Sequence, residues 1–131
     1  MRVEQLIRQF YDDLWNRWED EAVHDLLDED FAFRGSLGNE TRGWGEWRSY
    51  RDNIRAGASD FHNEILTLIV NGGHAAARLR YTGTHTGPLA GLRPTGRRFA
   101  YEGAAFFTGD RGRLTSAWVL GDLMALREQL A

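Results

Sequence analysis

The side chains of this chain that could move a proton or polarise a carbonyl group lie near the ends of its predicted strands. His85 ends a strand in which Leu79 and Tyr81 alternate with polar residues, so it shares their predicted inward face. An inward histidine could polarise a carbonyl group or hold a carboxylate, although a lone histidine at a strand end more often bonds nearby backbone. His62 begins the preceding strand, where a position at a pocket mouth and one on the surface fit equally well.

Asp122 stands directly before a predicted C-terminal helix and four residues after Trp118. Asp is a preferred N-cap residue, and a carboxylate that accepts backbone N–H bonds has a lowered pKa. In an apolar environment, which Trp118 could supply, burial would instead raise the pKa of the carboxyl group and favour general-base chemistry. The sequence leaves both roles open.

The sequence contains no recognisable metal or cofactor motif. The four histidines stand at positions 24, 62, 74 and 85 and there is no cysteine, so the usual spacings of a zinc site are missing. No glycine-rich loop leads into a helix, and no G-x-S-x-G elbow occurs. Every basic residue is arginine, which excludes a lysine Schiff base. We therefore predict no metal and no cofactor.

Composition places the chain among ordinary globular proteins. It has 131 residues, of which 42% are hydrophobic and 27% charged, enough for one domain spanning residues 1–131. The net charge is −3 with both signs interspersed, which argues against nucleic acid or an anionic membrane as a partner. No signal peptide or membrane-spanning stretch is evident, so we expect a cytoplasmic protein.

Hydrophobic periodicity predicts helices first and strands afterwards. Apolar residues at spacings of three and four indicate helices near residues 3–18, 20–27 and 44–57. Alternation and turn signals indicate strands near residues 31–33, 61–70, 74–85, 98–108 and 114–120, before a short helix over 122–130. This order predicts an α+β cone, in which N-terminal helices pack on the concave face of a curved antiparallel sheet around a single pocket.

Aromatic residues are the predicted walls of that pocket. Among five tryptophans, Trp15, Trp44 and Trp118 are the expected lining residues, although most aromatics in a chain of this size serve as core. Tyr101 and Glu102 are neighbours on one strand, so only one of them can face inward. The pattern does not decide which; an inward Glu102 would be a rival acid/base group.

Several short motifs resemble the SnoaL-like polyketide cyclases, a branch of the nuclear-transport-factor-like and ketosteroid-isomerase-like superfamily. The matching pieces are Gly83-Thr84-His85-Thr86-Gly87, Pro94-Thr95-Gly96-Arg97-Arg98, Trp118 with Asp122, the ending Leu126–Leu130, and Asp60-Phe61-His62. Ser59 and Gly121 depart from the family pattern, and the histidine that the cyclases place near their catalytic aspartate has no clear counterpart.

The resemblance implies a function and an assembly. It implies that Asp122 is a general acid/base that removes a proton next to a carbonyl, so that the enolate closes a ring in an aldol reaction without metal or cofactor. The residue pattern, and not the resemblance, adds His85 as a second candidate catalytic residue and Trp15, Trp44, His62, Trp118 and Tyr101 as candidate contacts of a hydrophobic carbonyl substrate. The resemblance also implies a homodimer through the outer face of the sheet, where Arg78, Arg80 and Thr82 form a polar row.

Two further readings of the same fold stay open. The cone could bind a small apolar ligand without catalysis, or it could be filled with its own side chains and serve only as an interaction domain. An acid inside an apolar pocket favours the enzyme, whereas a pocket without a titratable group favours the binder.

Overall fold

The predicted order of helices and strands is present in the computed structural model, which describes residues 2–131. The helical segments are α1 (Val3–Gln9), a π-helical continuation (Phe10–Asn16), a 3-10 turn (Asp20–Ala22), α2 (Val23–Leu26), α3 (Gly43–Gly57) and α4 (Leu123–Leu130). The strands are β1 (Leu27–Arg34), β2 (Glu40–Arg42), β3 (His62–Asn71), β4 (His74–Thr84), β5 (Arg98–Asp110) and β6 (Arg113–Gly121). None of the helices within these residues is long and apolar enough to cross a bilayer.

The six strands form one curved, open sheet in the order β2-β1-β6-β5-β4-β3. Neighbouring strands are antiparallel except for β1 and β6, which run parallel. The prediction of an α+β cone is confirmed, but the prediction of a wholly antiparallel sheet is wrong at this pair. Alternation reveals which face of a strand is buried and not which strand lies beside it, so this long-range pairing left no local signal.

The buried apolar residues form one cluster between the helices and the concave face of the sheet. On β4 the side chains of Leu79 and Tyr81 are buried, while Arg78 and Arg80 are exposed, as the alternation predicts. The open choice on β5 is resolved in the same way. Tyr101 faces the interior, and Glu102 lies outside, where its carboxylate accepts a hydrogen bond from Arg78 at 2.9 Å.

A buried arginine holds the π-helical segment in place. Arg51 on α3 is only 2% exposed and donates a hydrogen bond to the carbonyl oxygen of Leu14 at 3.2 Å. Its guanidinium lies about 5 Å from the ring centroids of Trp18 and Trp47 and pairs with Asp20. Cation–π contacts and the ion pair stabilise this arrangement. The π-helix can thereby present Phe10, Tyr11 and Trp15 to the interior.

Candidate functional site

A small internal cavity lies where the π-helix, α3 and the concave face of the sheet meet. Its volume is about 20 Å³, which suffices for a single water molecule. The predicted pocket therefore exists in this conformation only as a narrow space between packed side chains. The lining residues are Phe10, Tyr11, Trp15, Phe33, Ser36, Tyr50, Ile54, Phe61, Asn63, Tyr81 and Val119.

Two tyrosine hydroxyls near this cavity have hydrogen-bond partners. The hydroxyl groups of Tyr101 and Ser36 lie 3.0 Å apart, and the hydroxyl of Tyr50 accepts a bond from the Leu37 backbone N–H at 3.4 Å. These contacts tie the segment after β1 to β5 and α3. Partnered hydroxyls of this kind typically stabilise the folded state by about 1 kcal/mol each.

The other two tyrosine hydroxyls are not bonded to protein. Tyr11 and Tyr81 are 2% and 4% exposed, and neither hydroxyl makes a hydrogen bond with any residue from 2 to 131. Neither oxygen is among the fully enclosed unpartnered side-chain atoms of residues 2–131, which are Thr41 Oγ1, Trp47 Nε1 and His85 Nε2, so both keep access to the cavity, where a water molecule can bond them. Their place against the cavity makes these two groups available to a bound molecule.

Burial keeps all four phenol groups neutral. Desolvation raises the pKa of Tyr11, Tyr50, Tyr81 and Tyr101 above the ordinary tyrosine value, and for Tyr81 the nearby Tyr11 adds to the effect. A neutral phenol donates a hydrogen bond and does not act as a base. The lining residues named above include no carboxylate and no histidine, so the cavity wall supplies donors of hydrogen bonds to an oxygen.

Asn63 brings an amide group to the same cavity. Its backbone N–H donates to Oδ1 of Asn16 at 2.8 Å, and its carbonyl oxygen accepts from Nδ2 of Asn16 at 2.9 Å. Asn16, at the end of the π-helix, therefore satisfies the backbone of Asn63 at the edge of the sheet. The side chain of Asn63 stays against the cavity and is opposite Tyr81 in the register of β3 and β4.

Aromatic packing fixes the walls around these polar groups. Trp15 contacts the rings of Trp47, Tyr50 and Phe61 at centroid distances of 5.8, 6.2 and 6.0 Å. The contacts with Trp47 and Tyr50 are edge-to-face and the contact with Phe61 is tilted, and aromatic pairs of this kind stabilise the packing beyond their buried area. Of the tryptophans expected to line a pocket, Trp15 lies at the interior cavity.

Trp44 and Trp118 lie elsewhere, which corrects the expectation that they line the interior. The Nε1 group of Trp44 donates to the Leu27 carbonyl oxygen at 2.9 Å, and its ring stacks on His24. Trp118 is 45% exposed on the outer face of β6, beneath the guanidinium of Arg34. The predicted pocket wall at Trp118 is therefore on the other side of the sheet from the cavity.

His85 is buried but serves its own loop. Its Nδ1 accepts a hydrogen bond from the Thr95 backbone N–H at 3.2 Å and lies 3.0 Å from the Thr95 hydroxyl. Its Nε2 is enclosed and has no partner among residues 2–131. The geometry matches the backbone-bonding alternative. His62 is exposed on β3, so neither histidine lines the cavity.

Asp122 is exposed and caps α4. Its Oδ1 accepts a hydrogen bond from the Ala125 backbone N–H at 3.1 Å. This placement corrects the expectation that its carboxylate reaches an apolar pocket beside Trp118. The general-base role of Asp122 stays a prediction, because its carboxylate lies outside the cavity in this conformation.

Substitution of Asp122 separates the cap from the base. We expect Asp122→Asn to leave stability nearly unchanged, since Asn caps as well as Asp, and Asp122→Ala to lose about 1 kcal/mol. Urea denaturation measures both. If turnover falls roughly a hundredfold in Asp122→Asn without loss of stability, Asp122 acts as a base and must reach the substrate in another conformation.

Sequence reasoning missed the two small polar residues of the site. Ser36 lies in a glycine-rich loop, where polar residues are common and carry no signal. Asn63 alternates with exposed His62 and Glu64 on β3, so its phase could have indicated an inward polar side chain. No group of three histidine or acidic side chains within residues 2–131 is arranged to hold a metal ion.

The comparison with known proteins shows which family has this architecture. The family model of the SnoaL-like polyketide cyclases matches residues 5–130. The chain belongs to the SnoaL-like polyketide cyclase family. No curated protein matches it.

Two solved structures illustrate that the fold is shared. A SnoaL-like polyketide cyclase from Agrobacterium tumefaciens superposes with a TM-score of 0.85 at 20% identity, covering 100% of this chain and 99% of that one. TsrD from Streptomyces laurentii superposes with a TM-score of 0.86 at 25% identity, covering 98% and 94%. Family membership indicates an enzyme of cyclase type, and the substrate and the reacting groups are a separate question.

Proposed function

We propose that this SnoaL-like protein is an enzyme that binds a small apolar carbonyl compound in its cone and promotes enolisation and aldol ring closure. One observation carries the proposal. In a member of a polyketide cyclase family, neutral hydroxyl groups from π-helix, α3 and sheet converge around one interior cavity. The reaction would use protein side chains without a resident cofactor.

The hydroxyl groups suit the charge that develops in such a reaction. A base has to accept the proton next to the carbonyl, and we assign this role to the Asp122 carboxylate, which must reach the substrate once the cavity opens. As the proton passes to that carboxylate, negative charge grows on the carbonyl oxygen. Hydrogen-bond donors already aimed at that oxygen stabilise the enolate, more strongly in an apolar surrounding than in water. Tyr11 and Tyr81 are donors of this kind, and Phe10, Phe33 and Phe61 supply apolar walls for a carbon skeleton.

Binding requires the cavity to enlarge. Pockets for small organic ligands commonly measure about 300–1,000 Å³, against about 20 Å³ here. The π-helix carries Phe10, Tyr11 and Trp15, so its displacement would open much of one wall. We infer that ligand binding moves this segment, which a change in the fluorescence of Trp15 would report.

A binder without catalysis is the alternative, and one observation favours it. The cavity wall has no carboxylate or histidine that could accept a proton. A protein of this kind would hold the same class of compound through the tyrosine hydroxyls and release it unchanged.

Deuterium exchange distinguishes the enzyme from the binder. We expect the protein to accelerate exchange of the hydrogens next to the carbonyl of 1-tetralone in D₂O, followed by NMR. Tyr81→Phe should reduce the protein-dependent rate about a hundredfold. Binding of 1-tetralone detected by tryptophan fluorescence, with no acceleration of exchange, would establish the binder. Absence of both effects would contradict both proposals for aryl ketones.

We also propose that a second copy of this chain covers the outer face of the sheet. Phe106, Trp118 and Leu120 are each about half exposed there, and the rings of Phe106 and Trp118 pack 6.1 Å apart. The neighbouring Arg78 and Glu102 pair with each other, so this face carries both signs of charge. In a two-fold dimer, the arginine of one copy could therefore meet the glutamate of the other. An apolar centre with mixed charges around it is suited to a dimer interface.

Light scattering coupled to gel filtration tests the dimer. We expect twice the monomer mass of 15.0 kDa at micromolar concentration, and a monomer for Trp118→Glu. Met124→Glu is the matched control, because Met124 is also exposed, at 73%, but lies on α4 and not on a strand of the sheet. A monomeric native chain would contradict the proposal.

A further inference from the structure

The four tyrosine hydroxyls fall into two classes that differ in what they bond. Those of Tyr50 and Tyr101 have protein partners, namely the Leu37 backbone N–H and the Ser36 hydroxyl. Those of Tyr11 and Tyr81 have none among residues 2–131, although both side chains are more than nine-tenths buried against the cavity. The fold therefore completes the first pair and leaves the second pair incomplete.

The side-chain amide of Asn63 also lacks strong hydrogen-bond partners among residues 2–131. It is 4% exposed, and its side chain makes only one contact, at 3.5 Å, from Nδ2 to Oδ1 of Asn16. That distance is at the limit for a hydrogen bond. No residue from 2 to 131 donates to its Oδ1. Asn63 and Tyr81 are direct partners across β3 and β4, so their side chains are neighbours on the inward face.

Unpartnered polar groups that share a cavity define what can fill it. The Tyr11 and Tyr81 hydroxyls and the Asn63 side chain are not among the fully enclosed unpartnered atoms of residues 2–131, so each can bond a molecule in the cavity, and a ligand that displaces water there has to replace the bonds that the water made. A tyrosine hydroxyl can donate or accept, whereas an amide oxygen only accepts. A ligand oxygen that carries a hydrogen meets both requirements, because it can accept from a tyrosine and donate to the amide oxygen.

We propose that Tyr11, Tyr81 and Asn63 form an anchor for a phenol or enol hydroxyl group of an apolar ligand. Asn63 is the residue that selects a hydroxyl over an oxygen without hydrogen. The inference rests on the proposed function in taking the interior as the ligand site, and it holds for the enzyme and the binder alike. Tyr50 and Tyr101 belong to the scaffold of the site.

The four Tyr→Phe variants test the division into anchor and scaffold. Tyr101→Phe removes a bond of 3.0 Å, so we expect a melting temperature about 3–6 °C lower. Tyr50→Phe removes a longer bond of 3.4 Å, so we expect a smaller decrease. Tyr11→Phe and Tyr81→Phe remove unsatisfied groups, so we expect unchanged or higher melting temperatures. A purely structural role for all four tyrosines would lower all four melting temperatures alike, and that result would overturn the assignment.

Three bicyclic probes test the selection by Asn63. We expect 2-naphthol, which donates and accepts, to bind at least about tenfold more tightly than 2-methoxynaphthalene, which only accepts, and naphthalene to bind most weakly. Asn63→Leu should abolish the preference for 2-naphthol over 2-methoxynaphthalene, and Tyr81→Phe should weaken both. NMR titration of the protein measures the dissociation constants.

The outcomes separate this inference from the proposed function. Equal binding of 2-naphthol and 2-methoxynaphthalene, or a preference that survives Asn63→Leu, overturns the anchor, as does failure of all three probes to bind. Selective binding of 2-naphthol without any exchange of 1-tetralone hydrogens supports the anchor and refutes catalysis of ketone enolisation.

Discussion

Gly87→Ala is expected to destabilise the protein by about 3 kcal/mol, at the upper end of what overpacking usually costs. A Cβ atom at position 87 would lie 1.9 Å from the Ala56 carbonyl oxygen and 2.9 Å from its carbonyl carbon. Both are backbone atoms near the end of α3, so no side chain can turn away to make room. The loop or the helix end would have to move.

The contacts made by Gly87 explain why such a movement is costly. The backbone N–H groups of Thr86 and Gly87 both donate to the Gly57 carbonyl oxygen at 3.0 Å. These bonds satisfy the end of α3 and dock the loop that His85 and Thr95 close. A shift large enough to admit a methyl group would break them.

Gly45→Ala is the matched control. A Cβ atom added to Gly45 in α3 would meet no atom within 4 Å, so alanine should stabilise the helix by up to about 1 kcal/mol. Urea midpoints measure both variants. Equal stability of Gly87→Ala and the native chain would show that the loop does not dock on α3 in solution.

The glycine-containing motif near residue 85 was therefore informative about fold rather than chemistry. The sequence was compatible with two roles for the His85 side chain: polarising the carbonyl of a substrate, or forming hydrogen bonds within its own loop. In the structure, its Nδ1 accepts a hydrogen bond from the Thr95 backbone N–H and lies close to the Thr95 hydroxyl. A histidine between two glycines is consistent with either use, because the pairing of residues 85 and 95 depends on how the intervening loop returns.

Local periodicity predicted the elements well, because each helix or strand has one apolar face. The prediction became ambiguous where both faces are apolar. On β5, Phe107 is buried while Phe106 is 54% exposed on the outer face, so hydrophobicity could not decide between Tyr101 and Glu102. The same outer apolar face explains why Trp118 was expected inside. Apolar residues on an exposed sheet face give the same sequence pattern as buried core residues, so the sequence alone does not distinguish the two faces.

The direction of the Asp122 side chain could not be predicted from the sequence, for a related reason. The residue follows a strand whose inward residues, such as Val119, alternate with outward residues. Alternation ends where α4 begins, so the strand pattern cannot be extended to Asp122. The capping preference of Asp gave the local geometry, while the resemblance gave the catalytic role, and these two sources agree only if α4 moves.

Gly35→Ala is expected to lose about 2–3 kcal/mol by driving the Tyr50 ring from its place. A Cβ atom at position 35 would lie 2.1 Å from both Cζ and the hydroxyl oxygen of Tyr50. The ring cannot withdraw freely, because it packs on Trp15 at 6.2 Å and on Phe33 at 5.3 Å between centroids. Displacement of Tyr50 would also remove its bond with the Leu37 N–H.

A double-mutant cycle identifies the ring as the cause. Tyr50→Leu removes the Cζ, Cε2 and hydroxyl atoms that a Cβ at position 35 would meet, so Gly35→Ala should cost at least about 1 kcal/mol less in that background. Tyr50→Phe keeps Cζ and Cε2 and should leave the cost nearly unchanged. Free energies of unfolding in urea complete both cycles. An equal cost of Gly35→Ala in the native and Tyr50→Leu backgrounds would refute the close approach of Gly35 to Tyr50. If Tyr50→Leu lowers that cost and Tyr50→Phe does not, the absence of a side chain at Gly35 is what allows the Tyr50 ring to lie beside the cavity.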